Sequence, residues 1–461
     1  MTQAIRLSKS KLLSFGQCPR KLWLEIHRPD VAADSTGTDN LLAAGRSVGE
    51  LARELYSGGN GHLVDLTDGV SGAIAATRKL LAQGGPAPIF EATFEYDGVV
   101  VRTDILDRAH GVTHVVEVKA AGSVKEHHLP DCAIQAWTLR QLDIPIARVA
   151  VAHVDTSFVY DGDGRYNGLL LQVDVTEAIE EHIAHVPELV RKARAAVESS
   201  DEPAIAVGPH CSAPFECAFY GHCAPPEGEY PVAVLGGRKK HVFELVHAGY
   251  RDLRDVPDEL LRNDLQRLIQ RQTGLGVPFI GAELCEIVRA LPYPRYYLDF
   301  ETIAFAVPIW AGTRPYEALP FQWSCRIDDG QGVVAHEAFL DLSGAAPMRA
   351  CAERLIAALG TGGPILVYTS FESRVIGELA QRFPDLAPML HAIRERLVDL
   401  YPPIKAHYYH PDMRGSWSIK HVAPTIAPEL RYETLGEVRD GSAAGNAYLE
   451  AVHPATAAAR R

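Results

Sequence analysis

Apolar side chains recur along this chain with two periods. Alternation runs through residues 89–96 (IFEATFEY), and short apolar runs fill 101–106, 115–118, 148–154 and 169–173. These predict strands, in which successive side chains point to opposite faces. Apolar positions three and four apart mark 39–56 (DNLLAAGRSVGELARELY), 129–142 and 175–199, while 7–26 reads as two short helical pieces divided at Cys18-Pro19. Helices and strands interleaved in this order predict an α/β core in the first half of the chain. Residues 231–291 carry a mostly helical pattern and predict a connector with no chemistry of its own. Beyond it, strands are expected at 296–302, 321–327, 337–340 and 365–368, with a helix over 348–359. The chain therefore divides into 1–230, 231–291 and 292–461, and its length allows each main part its own core.

Chemistry falls on these strands. The runs 101–106 and 115–118 are separated by His110-Gly111, a turn signal, so they are expected to lie side by side. Glu117 and Lys119, two apart, share a face of the second strand, and a hairpin register brings Asp104 beside them. Carboxylates held together repel unless a cation sits between them, and a hard divalent ion such as Mg²⁺ or Mn²⁺ takes such oxygen ligands. A lysine beside that ion can orient an attacking water or stabilise charge developing on phosphorus. That is phosphodiester hydrolysis chemistry, set against the plainer reading of a surface hairpin with an ordinary ion pair. Gln135, on the next helix, is expected to reach a nucleotide phosphate or a ligand water. Glu50 lies either near the metal or on the wet face of its helix. In the last third, Asp299 and Glu301 again share one strand face, a second metal-binding geometry.

Charge and cysteine usage narrow the picture. A formal net charge of −13 argues against nonspecific coating of nucleic acid, although Arg20-Lys21 and Arg238-Lys239-Lys240 are local basic stretches. There is no run of eighteen apolar residues, and the first residues, MTQAIRLSKSK, lack a signal-peptide segment, so a cytoplasmic protein without a membrane partner is expected. Eight cysteines in that setting do not suggest disulfides. Cys211, Cys217 and Cys223 are evenly spaced, and Cys18 makes a fourth. Structural zinc sites favour close CxxC pairs, whereas an iron–sulfur cluster accepts scattered thiolates that the fold gathers, so a cluster is favoured with zinc as the alternative.

The order FGQCPRKLW, Asp104, Glu117-Val118-Lys119, Gln135 and then three cysteines resembles the RecB-like branch of the PD-(D/E)XK nucleases. It is most similar to the iron–sulfur subgroup that includes the nuclease of CRISPR adaptation and the AddB nuclease domain. The resemblance covers roughly the first half of the chain. It implies an α/β restriction-endonuclease-like core in which Asp104 and Glu117 bind the metal, Lys119 is the catalytic lysine and Gln135 the glutamine motif. It also implies a [4Fe-4S] cluster on Cys18, Cys211, Cys217 and Cys223 that staples the N-terminal helix to the end of the domain. One departure is visible: many relatives carry a histidine four residues after a glycine in the helix before the sheet, but here Gly45 is followed at that spacing by Gly49, then Glu50.

The last third resembles an RNase H-like α/β domain with DnaQ-type exonuclease motifs: Asp299 and Glu301 on the first strand, then Glu372 after a later one. The final acid of that pattern is missing from 453–461 (HPATAAARR), which leaves Asp399 and Asp440 as substitutes. The two parts together, with the segment MRGSWSIKHVAP, resemble a poorly characterised family that joins a RecB-like nuclease to an RNase H-like domain. The implied function is a metal-dependent nuclease acting on nucleic acid, DNA above all, single-stranded or with free ends, in concert with a helicase or a repair or defence protein. Two alternatives compete: a nucleic-acid-binding scaffold for a partner nuclease or helicase, and a nuclease working only through the C-terminal domain.

Overall fold

In the computed structural model, residues 6–33, 39–57, 60–108, 112–332, 334–430 and 441–452 are described; the expected His110-Gly111 turn, Asp440 and 453–461 lie outside them. The protein is mixed α/β and divides into two units, 1–224 with Phe305–Tyr316, and Pro225–Ala304 with 317–461.

The first unit runs β1 (Leu7–Ser8), α1 (Lys9–Gln17), α2 (Pro19–His27), α3 (Asp39–Ser57), β2 (His62–Leu63), α4 (Gly69–Gln83), β3 (Ile89–Tyr96), β4 (Val99–Asp107), β5 (His114–Lys119), α5 (His128–Gln141), β6 (Arg148–Val154), β7 (Leu170–Asp174), α6 (Glu180–Glu198) and the single turn α7 (Tyr220–Cys223). Its sheet has the order β2-β3-β4-β5-β6-β7, with β1 paired to β4. Asp97 and Gly98, both at positive φ, close the β3–β4 hairpin with the backbone that tight hairpins require. The Ser8 hydroxyl accepts from the Lys11 amide and caps α1. Cys18, in extended backbone before Pro19, ends α1 and starts α2. One sheet face is covered by α1, α5 and α6, through Leu12, Ile134, Trp137, Ile183 and Val186. Helix α5 is buried from Asp131 to Leu139 on every side, so it carries no amphipathic stripe. The other face meets α3, whose Val48, Leu51 and Ala52 join two clusters with Phe90, Ile105, Val116 and Val154. Segment Phe305–Tyr316 completes this unit, with the Tyr160 amide donating to the Thr313 carbonyl at 3.0 Å and the Gly312 amide to Tyr160 at 2.7 Å.

The second unit comprises α8 (Lys239–His247), α9 (Asp264–Leu275), β8 (Phe279–Ile280), α10 (Ala282–Ala290), β9 (Arg295–Ile303), β10 (Leu319–Asp328), β11 (Val334–Leu340), α11 (Met348–Leu359), β12 (Ile365–Val367), α12 (Phe371–Arg382), α13 (Ala387–Glu395), β13 (Leu397–Asp399), α14 (Tyr401–His407), β14 (Tyr408–Tyr409), α15 (Ile419–Ile426) and α16 (Gly441–Val452). Its main sheet has the order β11-β10-β9-β12-β13, with β9, β12 and β13 mutually parallel. Residues 231–291 are not a separate connector. Leu245, Leu253 and Ile269 share a core with Tyr409, Met413 and Trp417, and β8 pairs with β14. The boundary expected at 292 therefore falls inside a packed unit, because that segment buries its apolar stripe against residues more than a hundred positions away. Among the described residues no helix is long and apolar enough to cross a membrane.

Candidate active site

Strand β5 pairs with β4 so that Ile105 faces Val116, and one step further along this register sets Asp104 across from Glu117. Asp104 Oδ2 accepts from the Val118 amide at 2.6 Å. Glu117 is only 3 % exposed. Its Oε1 accepts from Lys119 Nζ at 2.6 Å, and its Oε2 accepts from Gln135 Nε2 at the same distance. The structure thus brings together Asp104, Glu117, Lys119 and Gln135. Gln135 is fully buried on α5, where its Nε2 holds Glu117 and its Oε1 has no hydrogen-bond partner.

Two further residues complete the group. Asp131, one helical turn before Gln135, accepts from Lys119 Nζ at 2.7 Å and from Gln135 Nε2 at 3.2 Å. Lys9, in the first turn of α1, donates to both Glu117 oxygens at 3.2 Å and lies 2.7 Å from Asp131 Oδ1. The i, i+4 spacing of Asp131 and Gln135 was readable in the sequence. Lys9 reaches the site because β1 pairs with β4, and a two-residue strand leaves no periodicity to read.

The electrostatics follow from crowding. Burial and the adjacent Glu117 charge push the Asp104 carboxyl up to about 7, against the pull of Lys9, the Val118 amide and Lys119. Burial alone would lower Lys9 and Lys119, but the neighbouring carboxylates outweigh it and hold both firmly protonated. Burial likewise raises Asp131, and the two ammonium groups more than reverse this, keeping it well below the usual carboxylate range. Asp104 opens onto a cleft of about 380 Å³ whose walls include Glu50, Glu91, Arg46 and Arg53. Glu91 falls between two paired positions of β3, Phe90 with Ile105 and Ala92 with Thr103, and so stands beside Asp104. Its φ of 57° is unusual for a non-glycine residue in a strand, and Arg53 and Arg102 hold its carboxylate at 3.7 and 3.3 Å. Glu50 is on the cleft wall, and Gly45 and Gly49 present open space there. Among the described residues no three His, Cys, Asp or Glu side chains already converge as a metal ligand set. Asp104 and Glu117 nonetheless fit a hard divalent cation, since their oxygens are of the right type and a cation would offset the burial and the Glu117 charge that together raise Asp104.

The four cysteines of interest are also gathered. Cys18, Cys211, Cys217 and Cys223 line one small enclosed space. Gln17, next to Cys18, donates to the His210 and Phe215 carbonyls at 2.8 and 2.7 Å and ties α1 to this loop. Arg20 and Lys21, candidate phosphate contacts by sequence, are engaged here with Glu202 and Gln17. Burial pushes the Cys223 thiol up to about 11 and raises Cys211 as well.

In the second unit, β9 buries Tyr296, Leu298 and Phe300 and turns Asp299 and Glu301 to the opposite face. Glu372, in the first turn of α12, is 3 % exposed; burial, then the charges of Asp299 and Asp399, push it up to about 7. Asp399 ends β13 and accepts from the amides of Thr369 and Tyr401, each at 2.9 Å. Thr369 sits at φ 88°, a strained conformation for a β-branched residue. Glu301 lies further along β9, where a Cβ on Gly441 would come within 3.2 Å of its Oε2. Asp299, Glu372 and Asp399 therefore form one electrostatic group.

Fold and sites together define a mixed α/β protein in which each unit collects carboxylates on its own sheet. Residues 296–418 match the family described as Domain of unknown function (DUF2779). Among solved structures, the chain is similar to the one titled "Crystal structure of SSO0001", with 14 % identity, a TM-score of 0.25, and coverage of 48 % of this chain and 88 % of that one. No curated protein matches the chain.

Proposed function

We propose that this protein is a metal-dependent nuclease that hydrolyses phosphodiester bonds, with DNA as its substrate. The observation that carries the reading is the meeting of Glu117 and Lys119 with Asp104 across the β4–β5 ladder, where Asp104 also lines a cleft bearing two arginines. Asp104 and Glu117 would hold Mg²⁺ or Mn²⁺, which when bound neutralises charge on the phosphoryl group and acidifies a water. Lys119 orients the nucleophilic water, Gln135 fixes Glu117, and Arg46 and Arg53 offer the cleft a phosphate contact. In this reading the first unit is a PD-(D/E)XK core stapled by a [4Fe-4S] cluster on Cys18, Cys211, Cys217 and Cys223, and the protein is cytoplasmic, with a helicase or a repair or defence protein as partner.

A second reading has its own observation. Within the second unit the sheet runs third, second, first, fourth, fifth strand in chain order, an arrangement that supports an RNase H-like domain. The group formed by Asp299, Glu372 and Asp399 then makes a separate metal-dependent centre. Cleavage of labelled single- and double-stranded DNA and RNA by Lys119→Ala and Asp299→Ala proteins separates the two. Loss only in Lys119→Ala supports the first reading, and loss only in Asp299→Ala moves the activity to the second unit. Nucleic-acid binding with no metal-dependent cleavage would make the protein a scaffold.

A further inference from the structure

We infer that Lys9 and Asp131 are positioning residues of the same active site, closing a ring of charges that keeps Lys119 in place when Glu117 turns to a metal ion. The inference rests on the nuclease reading of that site and goes beyond the residues it names. The ring is closed through direct contacts. Lys119 bridges Glu117 and Asp131 at 2.6 and 2.7 Å, Lys9 bridges the same two carboxylates from the other side at 3.2 and 2.7 Å, and Gln135 spans them at 2.6 and 3.2 Å. All five side chains are buried or nearly so, with Lys9 17 % and Lys119 25 % exposed.

This arrangement solves a geometric problem. In the structure the shortest contact of Lys119 is to Glu117, yet a metal ion would draw the same oxygens. A lysine held only by Glu117 would lose its anchor at the moment it is needed. Asp131 supplies a second anchor that stands on α5, away from the strand that carries Asp104. Lys9 in turn holds the other oxygen of Asp131 and keeps it from following Lys119. The formal charges agree. Asp104, Glu117 and Asp131 against Lys9 and Lys119 leave one negative charge, which a divalent ion converts to one positive charge, matched to a phosphodiester. Without Lys9 the same centre would be neutral, with less stabilisation of the charge that builds on the phosphoryl group in the transition state.

The test compares single-turnover cleavage of labelled single-stranded DNA, at saturating Mn²⁺ and over a range of DNA concentrations, by wild type, Lys119→Ala, Asp131→Asn, Lys9→Met, Lys9→Arg and the double variant Lys9→Met/Asp131→Asn. The expected result is a loss of about 10- to 100-fold in the saturated rate for Asp131→Asn, Lys9→Met and the double variant, the range seen when outer partners of a metal site are removed. KM for DNA should change little, and Lys9→Arg should restore most of the rate, because it keeps the charge and the donors. Removing one member of a buried ion pair can unfold a protein, so the charge-balanced double variant, checked by circular dichroism, keeps the question open to measurement. A folded double variant that cleaves at the wild-type rate, while Lys119→Ala does not, overturns the inference and leaves the nuclease reading standing. A wild type indistinguishable from Lys119→Ala overturns both.

Discussion

Asp104→Asn is expected to make the metal-free protein more stable above pH 7 while abolishing cleavage. The folded protein holds the Asp104 proton up to about pH 7, because burial and the Glu117 charge disfavour its ionised form, whereas an unfolded chain releases it near about pH 3.9. Between those values the folded state binds more protons than the unfolded one, so this group makes stability fall as pH rises. Three pH units at about 1.4 kcal/mol each set a ceiling of about 4 kcal/mol, and water reaching a half-buried carboxylate reduces the expected effect to about 2 kcal/mol. Asparagine is nearly isosteric, its amide oxygen can accept the 2.6 Å bond from the Val118 amide, and it carries no charge to desolvate. Urea unfolding of both proteins in EDTA at pH 4 and pH 8 reads the difference directly. The two should be equally stable at pH 4, and the variant more stable at pH 8. Adding Mg²⁺ at a hundred times its Kd should then stabilise wild type by about 2.7 kcal/mol and the variant by much less. A variant that is less stable than wild type at pH 8, or a difference that does not change with pH, would mean that Asp104 does not destabilise the fold when it ionises.

Other expectations follow from the same physics. In the second unit, Glu372→Gln removes a buried carboxyl whose Oε2 has no hydrogen-bond partner; thermal unfolding at pH 8 should show a gain of about 1–3 kcal/mol that vanishes by pH 4. Asp252 behaves oppositely: burial raises it, but the Arg254 guanidinium and the amides of Arg254 and Tyr230 bring it down to about 2. Asp252→Asn should therefore cost about 2 kcal/mol at pH 7, and urea titrations should show the gap to wild type closing as pH falls from 4 to 2. The thiol pocket should yield brown protein when purified anaerobically, with broad visible absorption and about four irons per chain; colourless protein holding stoichiometric zinc would contradict the cluster.

The sequence was informative where chemistry rides on a local period. Glu117 and Lys119 two apart on a strand, Asp104 on the neighbouring strand of a hairpin, and Gln135 within an apolar helix could all be placed from spacing alone, as could the alternation of Asp299 and Glu301. It was silent where position depends on long-range pairing. Lys9 reaches Glu117 through the two-residue strand β1, and Glu91 comes to the cleft that Asp104 lines only because β3 pairs with β4. The contact of Gln135 with Glu117 was hidden for a related reason, since nothing in its spacing says that its helix is enclosed on all sides. Residues 231–291 have a helical period that reads equally well as a spacer or as part of a core, and only the contacts of Ile269 and Leu245 with Tyr409 and Trp417 distinguish them.

Asp104, Glu117 and Lys119 are proposed as the hydrolytic metal centre. Cleavage of end-labelled single-stranded DNA by wild type, Asp104→Asn and Lys119→Ala, with and without Mn²⁺ or EDTA, tests it most directly. Metal-dependent product is expected from wild type alone, with both variants folded and inactive. Undiminished cleavage by folded Lys119→Ala protein would contradict it.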